Sequence, residues 1–317
     1  MRSTEDSDGS PRPVIIITGP TATGKTEVGI RIADALQGEI ISADARQIYK
    51  GMDIGTAKPT IEQQRRARHH LIDIVSPNED YSAGRFAEDA VVAIRDMRRR
   101  GVCPILVGGS GFYLRALVDG FSPIPRVADS VRRALKAEAA ADLQGVYRRL
   151  QEVDPVSAAR IHPNDTQRIV RALEVYEASG QPMSELQLHP PKVDFPWSSR
   201  WFGLSRERDD LYARIDVRVD EMIRSGLVDE VRGLASQGFG PGLNALNTFG
   251  YREMFEFLDG RLDLESVAGE IKLGTRHYAK RQLTWFRKEA RLSWVPAAEG
   301  DPAAAILKML DTGDPTR

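Results

Sequence analysis

Short apolar runs alternate with longer stretches of helical periodicity through the first third of the chain. The pattern predicts strands at 14–18, 39–42, 71–74 and 104–107, with helices at 25–36 and 83–100. Brief, nearly continuous apolar runs suit strands buried on both faces, and helices between them suit parallel crossovers. The expected class is therefore α/β, a parallel sheet covered by helices. From 123 to 197 the pattern changes to proline-punctuated helices, at 130–151 and 165–179, followed by a loop through Pro190, Pro191 and Pro196. A strand at 200–205 then returns to the sheet, with helical patterns at 206–236, 251–258 and 264–288 and a short strand at 292–295. The organisation predicted is a core formed by 13–122 and 198–317, a helical insertion at 123–197, a disordered polar lead at 1–12 and a frayed tail from 312.

Composition narrows the class without naming a chemistry. A chain of 317 residues, 41% hydrophobic, sustains one large core with an inserted part. Its formal charge of −1 gives no global attraction for polyanions, so a nucleic-acid partner requires a local basic surface. The single cysteine, Cys103, excludes an intrachain disulfide and a multi-cysteine zinc site, and its apolar neighbours mark it as a buried thiol. No apolar run is long enough for a membrane helix, and 1–12 lacks the hydrophobic segment of a signal peptide. A soluble cytoplasmic protein is expected.

The strongest local signal is Gly19-Pro20-Thr21-Ala22-Thr23-Gly24-Lys25-Thr26, between the first predicted strand and the first predicted helix. This is the GxxxxGK(S/T) phosphate loop in its required context. Glycines let successive amides turn inward, the helix N-terminus adds partial positive charge, and Lys25 brings an ammonium to the outer phosphates. Thr26 supplies a hydroxyl for a magnesium ion. The loop leaves open whether the phosphates belong to ATP or to another diphosphate.

Other residues gather at the same predicted sheet edge. Asp44 ends the strand after the loop helix, where it suits a general base, an indirect metal ligand or a cap for the next turn. Asp73 competes as a Walker-B-like carboxylate. Between 272 and 291 seven basic residues face the single acid Glu289. At helical spacing Arg276, Lys280 and Arg287 share one side, and Ile271, Tyr278, Trp285 and Phe286 the other, so a polyanion-binding face is expected opposite a core face. Arg168 and Arg171 share a side of another helix, suited to RNA phosphates or to ion pairing with Glu174. Arg65-Arg66-Ala67-Arg68 is a further basic cluster, and Arg98-Arg99-Arg100 complements a helix C-terminus.

Together these segments resemble one family, the transferases that place a dimethylallyl group on the adenosine just 3′ of the anticodon of tRNAs. The resemblance is carried by 41–59 (ISADARQIYKGMDIGTAKP), by His69 through Asp73, by Leu106 through Tyr113, by Asn164 through Glu174, by Phe249-Gly250-Tyr251-Arg252 and by Ala279 through Arg287. It implies a P-loop NTPase-like fold whose loop, Gly19 through Thr26, holds the diphosphate of dimethylallyl diphosphate, with Arg218 near it and Mg2+ on Thr26. It implies catalytic roles for Asp44 as base and for Lys25 and Thr26. It further implies tRNA contacts by Asp44, Ala45, Arg46 and Gln47, by Ser110 and Arg132, by Gln167, Arg168, Ile169, Val170 and Arg171, by Arg252, and by Lys280, Arg281, Gln282, Leu283, Thr284, Trp285, Phe286 and Arg287. The family more often has Ser at 45 and Thr at 110, so Ala45 is limited to backbone contact, whereas Ser110 keeps a hydroxyl. A monomer acting on tRNA, with no membrane partner, is the expectation. The runner-up is a small-molecule kinase in which the same loop holds ATP.

Overall fold

The computed structural model describes residues 12–120, 127–189 and 194–312. The polar lead through residue 11, the tail from 313, and Pro190 with Pro191 lie outside the described residues. Two compact units divide the chain, one comprising Met1–Leu117 with Phe195–Arg317 and the other Val118–Asp194.

In the first unit, β1 Val14–Thr18, β2 Gly38–Ser42, β3 His69–His70, β4 Cys103–Val107, β5 Ser199–Ser205 and β6 Leu292–Pro296 form one parallel sheet, ordered β3-β2-β4-β1-β5-β6. The register sets Ile15 beside Ile105 and Ile16 beside Trp201. Ile15, Ile17, Val107 and Phe202 pack with Val28 and Ile32 of α1 (Lys25–Leu36). The alternating residues Ile16 and Leu106 are also fully buried, so both faces of the sheet are covered and β1 reads as an uninterrupted apolar run.

Three further helices complete the first part of the chain: α2 Ile61–Arg66, α3 Ala83–Arg99 and α4 Gly111–Val118. The short α2 is set by a capping box, in which Thr60 Oγ accepts from Gln63 N–H at 3.2 Å and Gln63 Oε1 accepts from Thr60 N–H at 3.0 Å. The expected strand at 71–74 is not formed. The β2–β3 ladder ends at His70, because Leu71 and Asp73 turn the chain through positive φ of 60° and 55°. Asp73 instead accepts from Lys58 Nζ, which also donates to Tyr49 O at 2.8 Å and Asp53 Oδ1 at 2.5 Å. Its carboxylate anchors a buried lysine.

The described residues of the second unit form helices and no strand: α5 Asp129–Ala141, α6 Leu143–Val153, α7 Pro155–Arg160, α8 Thr166–Ser179 and α9 Met183–Leu186. The expected single helix at 130–151 is two helices, because Asp142 leaves helical geometry and its carboxylate accepts from Gly145 N–H at 2.8 Å to begin α6. Leu135, Val146, Leu150, Ile169, Val170 and Leu173 close the core of this unit. Asp154 ties its far end, accepting from the N–H and hydroxyl of Ser157 at 2.9 and 2.6 Å and from those of Ser184 at 3.0 and 2.6 Å.

The chain returns to the first unit for α10 Arg208–Arg224, α11 Leu227–Ser236, α12 Tyr251–Leu258, α13 Leu264–Phe286 and α14 Pro302–Asp311. The helical stretch expected at 206–236 breaks at Gly226, whose φ of 100° is open to glycine and costly for other residues. No helix of the described residues is long and apolar enough to cross a membrane.

Candidate active site

The C-terminal ends of β1, β4 and β2 lie side by side and feed their following turns into one cleft of about 1520 Å³. β1 delivers the loop Gly19 through Thr26, β4 delivers Gly108, Gly109 and Ser110, and β2 delivers Asp44 and its turn. This is where ligands collect in open parallel sheets. The approach of the β4 and β2 turns is close enough that a Cβ on Gly108 would overlap the backbone of Ala43.

The loop is held in shape by its own groups and by α10 and α13. Thr23 Oγ1 donates to Pro20 O at 2.9 Å, and Lys25 Nζ folds back to donate to the same carbonyl at 2.6 Å. Ala22 takes φ 63°, an uncommon conformation for a side chain with a Cβ. Arg218 of α10 donates to Thr21 Oγ1 at 3.1 Å, and Arg214 donates to Ala22 O at 2.9 Å. Burial pushes the Lys25 ammonium down from 10.5 to about 7; Arg218 adds to the shift and Asp44 opposes it. Burial also lowers Arg218, again against the attraction of Asp44. Lys25 and Arg218 thus converge on the loop with one nearby carboxylate, and an added polyanion would favour the protonated form of Lys25.

Asp44 is partly buried at the lip of this cleft. Its Oδ1 accepts from Arg46 N–H at 2.9 Å and Gln47 N–H at 3.4 Å, so the carboxylate caps its own turn through one oxygen and keeps Oδ2 outside those two bonds. Capping and a chemical role are compatible here, since the cap fixes the orientation of the second oxygen. Ser110 Oγ accepts from Ala45 N–H at 3.0 Å, and Ser110 N–H donates to Ala43 O at 3.2 Å. Ser110 therefore clamps the turn that carries Asp44, a role that sequence reasoning missed.

The residues expected at RNA fall into two groups. Arg46 donates to Asn244 O at 2.6 Å, and the Gln47 amide is held between Ser42 Oγ and the carbonyls of Thr56 and Ala57, so both side chains brace the turn. Ile169, Val170 and Phe286 are buried packing residues. Gln282 is buried as well, with its amide between two backbone groups of the cleft. These side chains serve packing or internal hydrogen bonds in the structure, and Arg46 and Gln47 also line the cleft. Gln167, Arg168, Lys280, Arg281, Thr284 and Arg287 are exposed, and Leu283 and Trp285 are partly so. Trp285 lies against Gly111, and Arg281 stands 5.9 Å from the centroids of both Phe249 and Tyr278. Arg252 lies 5.5 Å from the Phe249 ring and donates to Glu253 at 2.6 Å.

Ion pairing reduces the expected basic helix. Arg276 pairs with Asp216, and Lys272 with Asp220 at 2.6 Å, both acids lying on α10 far away in sequence. Arg291 pairs with Glu289 at 2.6 Å. Lys280, Arg281, Arg287 and Lys288 lie outside the ion pairs of the described residues and form the remaining basic surface. Tyr278, expected in the core, is 39% exposed and lines the cleft. In the helical unit the buried Glu174 accepts from Arg132 at 3.0 Å and Arg171 at 3.1 Å, holding both guanidiniums at the surface.

The family model described as IPP transferase matches residues 47–289. The chain belongs to the IPP transferase family. It is 45% identical over 291 residues to the tRNA dimethylallyltransferase of Pelotomaculum thermopropionicum, covering 91% of this chain and 92% of that protein. It is similar in structure to the full-length tRNA isopentenylpyrophosphate transferase of Bacillus halodurans, with a TM-score of 0.70, 38% identity and 95% of each chain covered. A eukaryotic dimethylallyltransferase acting on tRNA matches with a TM-score of 0.79 and 28% identity, over 94% of this chain and 78% of that one. The P-loop-like sheet and its flanking helices are thus the architecture of this family, and the ATP-kinase alternative loses its footing.

Proposed function

We propose that this protein transfers the dimethylallyl group of dimethylallyl diphosphate to the exocyclic N6 amine of the adenosine 3′ to the anticodon in tRNA, releasing diphosphate in the cytoplasm. The carrying observation is the placement of Asp44, anchored through Oδ1 at the lip of the cleft that also holds Lys25 and Arg218. The amine of adenine is a weak nucleophile because its lone pair is delocalised into the ring. Asp44 Oδ2 accepts an N6 proton as the new C–N bond forms. The allylic C–O bond breaks with its electron pair leaving on diphosphate, whose growing charge is met by Lys25, the amides at the start of α1 and Arg218.

A divalent ion fits this donor set. The Thr26 hydroxyl in the cleft, and the diphosphate oxygens it would face, are hard oxygen donors of the kind that suit Mg2+ held mostly by water and substrate. The Thr26 hydroxyl would hold it, and the ion would neutralise charge on the leaving group.

The surface formed by Lys280, Arg281 and Arg287, together with Ser110 and Arg252, would receive tRNA around the flipped base; in the helical unit, taken by itself, Arg132, Gln167, Arg168 and Arg171 would contact tRNA. The turn of Ala45 would meet RNA through its backbone. Flipping a base costs a few kcal/mol, which an extended cationic surface can offset. The protein would act as a monomer. The test is transfer of label from dimethylallyl diphosphate into unmodified tRNA in the presence of magnesium. Asp44→Ala should lower turnover by about 10²-fold or more while tRNA binding is retained. Turnover that survives the substitution rules out Asp44 as the base, and phosphate transfer from ATP without prenyl transfer rules out the reading as a whole.

A further inference from the structure

We infer that Gln282 is a positioning residue for the diphosphate loop, tying α13 to the loop and to the β4 turn. Its side chain is 7% exposed. Its Oε1 accepts from Thr21 N–H at 2.9 Å, and its Nε2 donates to Gly109 O at 2.9 Å. Both partners are backbone groups of fixed polarity, so they determine which end of the amide is which. Thr21 is 261 residues away in sequence and Gly109 is 173, so one side chain joins three separate segments of the cleft.

The chemistry of this position is restrictive. One neutral side chain must accept from an amide and donate to a carbonyl in the same buried space. Glutamate accepts but cannot donate when ionised, and it adds an anion beside a diphosphate site; methionine fills the volume, cannot donate and accepts only weakly. The fit leaves no room for a side chain opposite, since a Cβ on Gly109 would collide with Gln282 Nε2.

The consequence falls on the loop. Thr21 is fixed through its amide by Gln282 of α13 and through its hydroxyl by Arg218 of α10. The amide of Thr21 is therefore withdrawn from phosphate binding, and anion contact is directed to the later amides at the start of α1 and to Lys25. Gln282 acts on the diphosphate through Thr21, on the same helix whose outer residues Lys280, Arg281 and Arg287 form the basic surface. Diphosphate affinity and loop order are its province, and RNA affinity is not. This inference rests on the proposed function for the identity of the ligand.

The experiment uses the full chain with Gln282→Met and Gln282→Glu. Binding of inorganic diphosphate with magnesium and the KM for dimethylallyl diphosphate are measured beside tRNA affinity. Gln282→Met should weaken diphosphate binding and raise that KM by about tenfold, with tRNA affinity changed less than about twofold. Gln282→Glu should weaken diphosphate binding further. Loss of tRNA affinity with diphosphate affinity intact, or no change in either, overturns the inference. Hydrogen exchange at Thr21 in the unsubstituted protein tests the tie without any variant. A slowly exchanging Thr21 amide in ligand-free protein supports it, and exchange at the rate of an open loop overturns it. Unsubstituted protein that binds no diphosphate refutes the functional reading alone, because the exchange measurement still decides the tie.

Discussion

Lys25 should take up a proton when a prenyl diphosphate binds. In the ligand-free protein burial and Arg218 hold its ammonium down to about 7, with Asp44 pulling the other way. A trivalent anion placed against Lys25 outweighs the burial penalty and returns the pKa to the ordinary lysine range. At about pH 8.5 the free protein then carries a proton on roughly 3% of its Lys25 side chains and the complex on nearly all, so about one proton enters per ligand bound. Between about pH 7.5 and 9 the apparent Kd should weaken by about tenfold per pH unit, each decade being about 1.4 kcal/mol. Titration calorimetry with dimethylallyl diphosphate in two buffers of different ionisation heat measures the uptake directly, at a pH where the ligand itself is fully ionised. Lys25→Arg, which stays charged throughout, should abolish it. The sign for stability follows from the same shift: the unfolded chain holds its lysine proton more tightly, so the ligand-free fold gains stability as pH rises from about 7 toward 10.5. A Kd flat over this range, with no dependence on buffer, would refute the picture of a Lys25 that is largely neutral before its ligand arrives.

Two further outcomes test other parts of the molecule. Asp154→Ala strips an acceptor from four donors of Ser157 and Ser184, and should lower stability by about 3 kcal/mol. Chemical denaturation followed in the helical unit checks it, and a loss under about 1 kcal/mol contradicts the buried cap. Replacing both Lys280 and Arg287 by Ala should weaken tRNA binding and reduce the slope of log affinity against log salt by about 2. An unchanged slope means those side chains are merely solvated.

The sheet was legible because β1 and β4 are buried on both faces and therefore read as apolar runs between helical periods. β3 was not, since the apolar residues Leu71, Ile72 and Ile74 imitate a strand while the pairing stops at His70 in a turn of positive φ. The helices α2, α4, α7, α9 and α14 were passed over; each is ten residues long or shorter, and α2 buries none of its residues, leaving only the Thr60–Gln63 cap as a signal. At the cleft, residue types disclosed the phosphate loop and Asp44, because anion binding and base chemistry demand particular side chains. Contacts between distant segments left no such local mark. The charge run at 272–291 looked uncompensated because its partners Asp216 and Asp220 sit on another helix. The family resemblance implied an RNA contact for Gln282 within the run from Lys280 to Arg287, although the helix turns its side chain inward. A neutral glutamine amid charged neighbours was the available hint.

Glu230 shows how a protein built for polyanions keeps part of its own backbone from them. From α11 it accepts from the N–H groups of Asp53, Ile54 and Gly55 at 2.9, 2.7 and 3.1 Å, and from the Tyr251 hydroxyl at 2.6 Å. Three consecutive amides facing one way make a concavity suited to any oxyanion, phosphate included. Here a tethered carboxylate occupies it permanently, at an effective concentration no dissolved anion can match. Glu230 thus satisfies from within the chain three amides that line the cleft and would otherwise face it unpaired.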